Sequence, residues 1–162
     1  MFPWAEQAMA KEKNSRKVLA QNKKAFHEYE ILTRFEAGIV MQGTEVKSAR
    51  DHRVNLKESY ARLNNHEIWL VDCHISPYSC GNIQNHEPLR PRKLLLHKKE
   101  IEKLSDEITR GGLTVVPLSM YLKEGKVKVE IALAKGRKLY DKREKDRRKT
   151  IDRDIEKAMK TK

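Results

Sequence analysis

General acid–base chemistry in this chain would draw on His27 and Glu36, an imidazole and a carboxylate. Nothing in their spacing brings them together. His27 has Lys23 and Lys24 as neighbours, so it reads as a ring that stacks on a base or bonds a phosphate, or as a half-buried surface histidine. Glu36 reads as a solvated strand carboxylate, or as an acceptor for a base amino group or a 2′-hydroxyl. Cys73, His74, Cys80 and His86 are residue types that zinc takes, but their spacing fits none of the usual zinc patterns and the thiols read as buried or incidental. There is no Walker or Rossmann glycine loop, no nucleophile elbow and no HExxH. No catalytic constellation, metal or cofactor is expected.

Cationic chemistry is what the chain supplies in quantity. From residue 135 onward there are 13 Lys or Arg against 6 Asp or Glu, which places +7 of the net +12 in one-sixth of the length. Residues 1–24 add 6 basic and 2 acidic side chains, and residues 25–134 are nearly balanced, 16 against 15. Like charges so crowded lower the stability of a compact state, and their natural counterpart is a polyanion, of which nucleic acid is the densest. The blander alternative is a solvated tail that keeps the protein soluble. No apolar run approaches the length of a membrane span. The start, Met1 to Ala10, has no basic region followed by an apolar core, so it is not a secretory signal. Two cysteines are too few for a disulfide framework, and a cytoplasmic setting is expected.

Those charges need a platform. Residues 1–22 show no clean period and read as a flexible arm in which Phe2 and Trp4 stand out. Tyr29 to Met41 alternates with period two and predicts a half-buried strand, with Gly38 marking a bulge, a bend or the close approach of another backbone. Thr44 caps a short helix to Arg53 whose outer face carries Lys47 and Arg50. Residues 59–63 and 67–75 form a hairpin, and 76–92, with four prolines and glycines among Ser and Asn, form a long loop. Leu94, Ile101, Leu104 and Ile108 mark a helix from Leu94 to Thr109 that stops at Gly111-Gly112. Strands over 113–122 and 127–133 follow, and Pro117 requires an edge or a bulge. The order is strand, short helix, hairpin, helix, hairpin. It predicts a mainly β chain: an OB-fold-like antiparallel β-barrel over 23–138 with two or three helices. In the basic tail, 139–162, Ile151, Ile155, Ala158 and Met159 form one narrow helical stripe. Such a helix is marginal in water, so the tail is expected to be disordered alone and helical on an RNA-rich surface. The alternative is a helix packed back on the barrel.

Several stretches, in order and spacing, resemble one family. They are Asn22-Lys23-Lys24-Ala25-Phe26-His27-Glu28-Tyr29, Phe35-Glu36-Ala37-Gly38 and Gln42-Gly43-Thr44-Glu45-Val46-Lys47-Ser48. Asn82 to Pro88, Arg92-Lys93-Leu94-Leu95-Leu96-His97 and Lys135 to Arg143 complete the set. The chain resembles SmpB, the tmRNA-binding family, from about Asn22 to the C-terminus. The resemblance implies an OB-type barrel that holds the tRNA-like domain of tmRNA and, with elongation factor EF-Tu and GTP, brings it to stalled ribosomes. It also implies that the tail enters the empty mRNA channel and that the stalled peptide is tagged for proteolysis. The implied RNA-binding residues are Asn22, Lys23, Lys24, His27 and Glu36, then Lys47, Arg50, Arg92, Lys93, Leu95 and His97. Lys135, Gly136, Arg137 and Lys138 close that group. His27 matches a position near the decoding centre. The ribosomal tail is implied at Tyr140, Asp141, Lys142, Arg143, Arg147, Arg148, Lys149, Ile155 and Met159. Phe26 and Arg34 depart from the family pattern, and both are expected to alter local RNA contacts. A monomer in the free state is expected. A structural OB-fold ribosomal protein and a small RNA-processing enzyme built on His27 and Glu36 are the competing readings.

Overall fold

Two long amphipathic strands and the strand that closes on them carry the architecture. The computed structural model describes residues 16–160. In chain order these form β1 (Lys17–Gln21), α1 (Lys23–Glu28), β2 (Tyr29–Ile39), α2 (Gly43–Arg50), β3 (Val54–Asn55), β4 (Tyr60–Asn64), β5 (Glu67–Val71) and β6 (His74–Ile75). A 3-10 turn (Asn82–Gln84), β7 (Arg92–Leu95), α3 (Lys98–Gly111), β8 (Thr114–Lys123), β9 (Lys126–Gly136) and α4 (Leu139–Lys160) follow. The main sheet is antiparallel, in the order β1-β8-β4-β5-β7-β2-β9, and β9 returns to pair with β8. Six strands therefore close into a ring, with β1 lying beside the far half of β8. β2 turns the corner at Gly38, which faces Lys128 of β9 on one side and Leu95 of β7 on the other. A Cβ on Gly38 would lie 3.2 Å from that of Leu95, a contact tight enough that Leu95 would have to give by a few tenths of an ångström.

The barrel interior is Ala37, Ile68, Leu70, Leu94, Val115, Met120, Val129 and Ile131, plugged by Leu104 of α3. A second cluster, Val116, Leu118, Ala132 and Ala134, packs under Ala25 of α1 with Phe26, Tyr29 and Ile31. β8 and β9 are thus buried on both faces, and bulges make that possible. The register shifts between Pro117 and Ser119, so Val115 and Met120, of opposite parity, both point inward. A shift between Ile31 and Thr33 likewise sends Ile31 to the second cluster and Phe35 to the first.

The deepest polar group is an ion pair. Glu45 and Arg92 are both fully buried. Arg92 donates to Glu45 Oε1 at 2.9 Å, to the Cys73 carbonyl at 2.7 Å and to the Pro88 carbonyl at 3.2 Å. Arg90 and the Gln42 amide complete the carboxylate at 2.8 and 2.7 Å. Burial alone would raise the Glu45 pKa; these donors outweigh it and hold the carboxyl below its ordinary value.

Several expectations change. Residues 17–21, expected in the flexible arm, are β1: Leu19 is buried and the run pairs with β8, a partner that a five-residue stretch cannot announce. Phe2 and Trp4 lie outside the described residues. α1 was not expected at all; it is six residues long and Asn22 caps it, accepting from the Ala25 amide at 3.1 Å. α2 begins after Gln42, not Thr44, because Glu45 reaches back to the Gln42 amide, and it ends at Arg50, short of Arg53. The arm expected over 67–75 breaks at Asp72, where φ is 58°, and His74–Ile75 pairs with β3. Leu94 belongs to a strand, not to the following helix. The alternation of buried Arg92 and Leu94 with Lys93 and Leu95 is strand-like, and its spacing to Ile101 only mimics a helix. α3 stops at Gly112, which is left-handed as anticipated. The tail forms α4, a helix over Leu139–Lys160 that takes in the Ile151, Ile155, Ala158 and Met159 stripe.

Arg92→Met is expected to cost about 3–5 kcal/mol in urea unfolding at neutral pH, because it strands a buried carboxylate. The stability that Glu45 contributes is present above the ordinary carboxylate pKa and lost as pH falls through its depressed one. The gap between variant and parent should therefore narrow on acidification; a gap that is constant with pH would contradict this account.

Candidate nucleic-acid interface

Residues far apart in sequence meet where β2 passes β7. Glu36, Gly38, Leu95, His97 and Lys128 line one cavity of 450 Å³. A second, of 390 Å³, shares Gly38, Leu95 and Lys128 and continues over Ile39, Met41, Val46 and Val127. Leu95 is 52% exposed at their common edge, because β7 alternates and its inward positions are taken by Arg92 and Leu94. The face combines apolar floor, carboxylate, imidazole and lysine, the mixture that receives splayed bases and 2′-hydroxyls.

Glu36 does not stand alone there. Tyr121 donates to Oε2 at 2.5 Å, Lys123 to Oε1 at 3.4 Å, and Arg16 lies 3.5 Å from Oε2. The Arg16 guanidinium also sits 5.0 Å from the centroid of the Tyr121 ring. The tyrosine hydrogen bond, then Lys123 and Arg16, hold the Glu36 carboxyl below its usual range against the opposing effect of burial. Burial, then Glu36 itself, raises the Tyr121 phenol. A carboxylate so supplied with donors is a fixed acceptor and a poor general base.

His27 has a different partner. Its Nε2 lies 2.9 Å from both carboxylate oxygens of Asp146 on α4, which lowers the Asp146 pKa. Lys145 donates to the Phe26 carbonyl at 2.7 Å, so both contacts seat the second turn of α4 on α1. The imagined acid–base pair of His27 and Glu36 is therefore not assembled. Beyond these turns α4 is exposed, with Ile151 at 51%, Ile155 at 50% and Met159 at 75%.

The other expected RNA contacts divide. Lys23, Lys47, Arg50, His97, Lys135, Gly136 and Lys138 are exposed, as are Arg143, Arg147, Arg148 and Lys149; Arg137 and Lys142 are half-buried. Tyr140 and Asp141 stand in the first turn of α4. Lys24 is bonded to Glu58 at 2.7 Å and Lys93 to Glu67 at 2.6 Å, so each would exchange a carboxylate for a phosphate. Two residues are corrections. Arg92 is consumed by Glu45 and two carbonyls in the interior. Asn22 is buried, caps α1 and donates to the Leu56 and Pro117 carbonyls at 2.9 and 3.0 Å. Neither has a surface to offer. The two departures from the family pattern meet each other: the Arg34 guanidinium lies 5.7 Å from the Phe26 ring centroid. Reading the sequence missed Arg16, Tyr121 and Lys123 around Glu36, and Lys145 and Asp146 at the root of α4. Tyr121 and Lys123 share a strand face, but only the register of β8 and β9 against β2 aims them at Glu36.

A family model described as SmpB protein matches residues 19–161. The chain is 56% identical over 154 residues to the SsrA-binding protein of Caldanaerobacter subterraneus subsp. tengcongensis, covering 95% of this chain and 98% of the relative. It is 55% identical over 148 residues to the SsrA-binding protein of Enterococcus faecalis, covering 91% and 96%. A solved structure described as "tmRNA-SmpB: a journey to the center of the bacterial ribosome" superposes with a TM-score of 0.63 at 45% identity, covering 74% of this chain and 85% of that one.

Tyr121→Phe removes the strongest hold on the Glu36 carboxylate. Its titration, followed by carboxyl-carbon NMR, should move to higher pH, with a loss of about 1 kcal/mol in stability. An unmoved titration would show that Lys123 and Arg16 suffice.

Proposed function

The chain belongs to the SmpB family, and from that premise we propose that it is an RNA-binding adaptor of trans-translation that binds the tRNA-like domain of tmRNA. The observation that carries this reading is the division of the molecule into a nearly neutral barrel and a cationic helical limb. Among the described residues the limb bonds α1 near its root, at His27 and Phe26. On the barrel, Glu36, Leu95, His97 and Lys128 offer an acceptor, an apolar edge, a ring and a cation on one face. Lys135 at the end of β9 and Lys138 just past it extend that charge.

In this reading the protein brings tmRNA to stalled ribosomes together with EF-Tu, which it meets through the aminoacylated RNA. α4 then leaves its seat on α1 and lies along the empty mRNA channel. Its exposed cations face ribosomal phosphates, and Ile151, Ile155 and Met159 supply one apolar stripe. His27, freed from Asp146, faces the decoding centre. No catalytic step is assigned to the protein. Among the described residues no helix is long and apolar enough to cross a membrane, and a cytoplasmic monomer is the proposed free state.

Pull-down from a lysate with sequencing of the bound RNA should recover one abundant species with a tRNA-like acceptor end. Stoichiometric recovery on all ribosomes would instead make the protein a structural component. Affinity for the tRNA-like piece should fall with salt at a log–log slope of about −0.7 to −0.9 per phosphate neutralised, and Glu36→Ala should weaken it. Truncation after Tyr140 should retain the barrel's salt-dependent RNA binding and abolish peptide tagging on stalled ribosomes. Normal tagging by that truncation would refute the division of labour between barrel and tail.

A further inference from the structure

The junction between β9 and α4 holds a cluster that the barrel face does not include. Arg137, Glu144, Lys145 and Arg148 line a cavity of 290 Å³. Arg137 lies just past the last residue of β9, and its amide donates to the Glu28 carbonyl at 2.9 Å, which fixes its backbone to the barrel side. Its side-chain Nε is cut off from solvent and makes no hydrogen bond within the protein. Lys145 spends one of its three donors on the Phe26 carbonyl. Arg148 bonds Glu144 at 2.8 Å, through one nitrogen of a guanidinium that remains 75% exposed. Three cations thus surround a space shared with one carboxylate. The crowding registers on Lys145, whose pKa is lowered by burial first and then by Arg137 and Lys149.

An unsatisfied buried guanidinium nitrogen costs free energy unless an acceptor reaches it. A small oxyanion suits the excess positive charge of the lining and the volume. We propose that Arg137, Lys145 and Arg148 form a seat for one backbone phosphate of the bound RNA, straddling the hinge between barrel and tail. This rests on the RNA-binding reading above and adds a consequence to it. Arg137 belongs to the barrel and the other two to α4, so an RNA held by the barrel also sets the direction of the helix. The seat would couple cargo binding to the aim of the tail.

The test uses the full chain and a tRNA-like acceptor-stem RNA. One fluorophore is placed on exposed Cys80 and another on a Met159→Cys substitution; Cys73 stays unlabelled because burial pushes its thiol up to about 12. RNA should narrow the distribution of distances between the labels. Lys145→Gln with Arg148→Gln should abolish the narrowing and lower the salt slope by about one phosphate, while the barrel's own contacts keep most of the affinity. The charge-matched pair Arg153→Gln with Lys157→Gln should leave the narrowing in place. Circular dichroism and an unchanged melting temperature would show that both pairs keep their fold.

Equal effects of the two pairs, or RNA binding with no narrowing in the parent chain, would overturn the seat and leave the RNA-binding reading standing. Narrowing by inorganic phosphate alone, equal to that by RNA, would overturn the assignment to an RNA backbone. No RNA binding by the parent chain would remove the reading on which the seat rests.

Discussion

The fully buried pair of Glu45 and Arg92 is the constraint on which the functional face depends. It joins α2, β7 and the segment after β6 at one point in the interior. Two charges taken out of water are held only if every lone pair and proton is answered, and here Arg90, the Gln42 amide and two carbonyls answer them. The consequence reaches the surface through strand alternation. With Arg92 pointing inward, Lys93 and Leu95 must point outward, and Leu95 arrives beside Gly38 and Glu36. An arginine that looks like an RNA contact in the sequence thus positions the face of Glu36 and Leu95 from within.

The same logic separates two kinds of charged residue. Around Glu36, carboxylate and cations neutralise one another and fix an acceptor in place. Beyond Lys145 the described cations of α4 are exposed, and 22 residues of helix span about 33 Å. Such an arm cannot be stabilised by its own apolar stripe, which is three side chains wide and half solvated. Its order at the root comes from polar contacts to α1, each worth little in water.

Much of the barrel was legible because alternation in 29–39 and 126–136 survives any neighbour, and because Gly38 and Pro117 announce their irregularities. What escaped depended on partners. β1 exists because β8 offers it an edge. α1 exists because Asn22 caps six residues whose composition is unremarkable for a helix. The Leu94 register was misread because period 3.6 and period 2 coincide over a short apolar run. At the site, Glu36, Leu95 and His97 were identified by resemblance, and the structure gathers them around one cavity. Tyr121 was invisible, since its aim depends on bulges at Ile31/Thr33 and Pro117/Ser119 that shift the register, and Arg16 because it leads into β1, which only the pairing with β8 reveals. Arg92 and Asn22 were misassigned for the converse reason: charge and polarity in a sequence do not say which way a side chain points.

The root of α4 shows why weak contacts suit a limb of this kind. Among the described residues the links to α1 include one lysine on a carbonyl and one imidazole on a carboxylate, both partly exposed. A buried apolar interface would fix the helix on the barrel at a cost that ribosomal phosphates could not readily repay. Two polar contacts instead define an orientation and can be exchanged for others of equal kind. Asp146 sits at that junction: both of its oxygens lie 2.9 Å from the His27 ring nitrogen, so a single carboxylate ties the position of the helix to the surroundings of the imidazole.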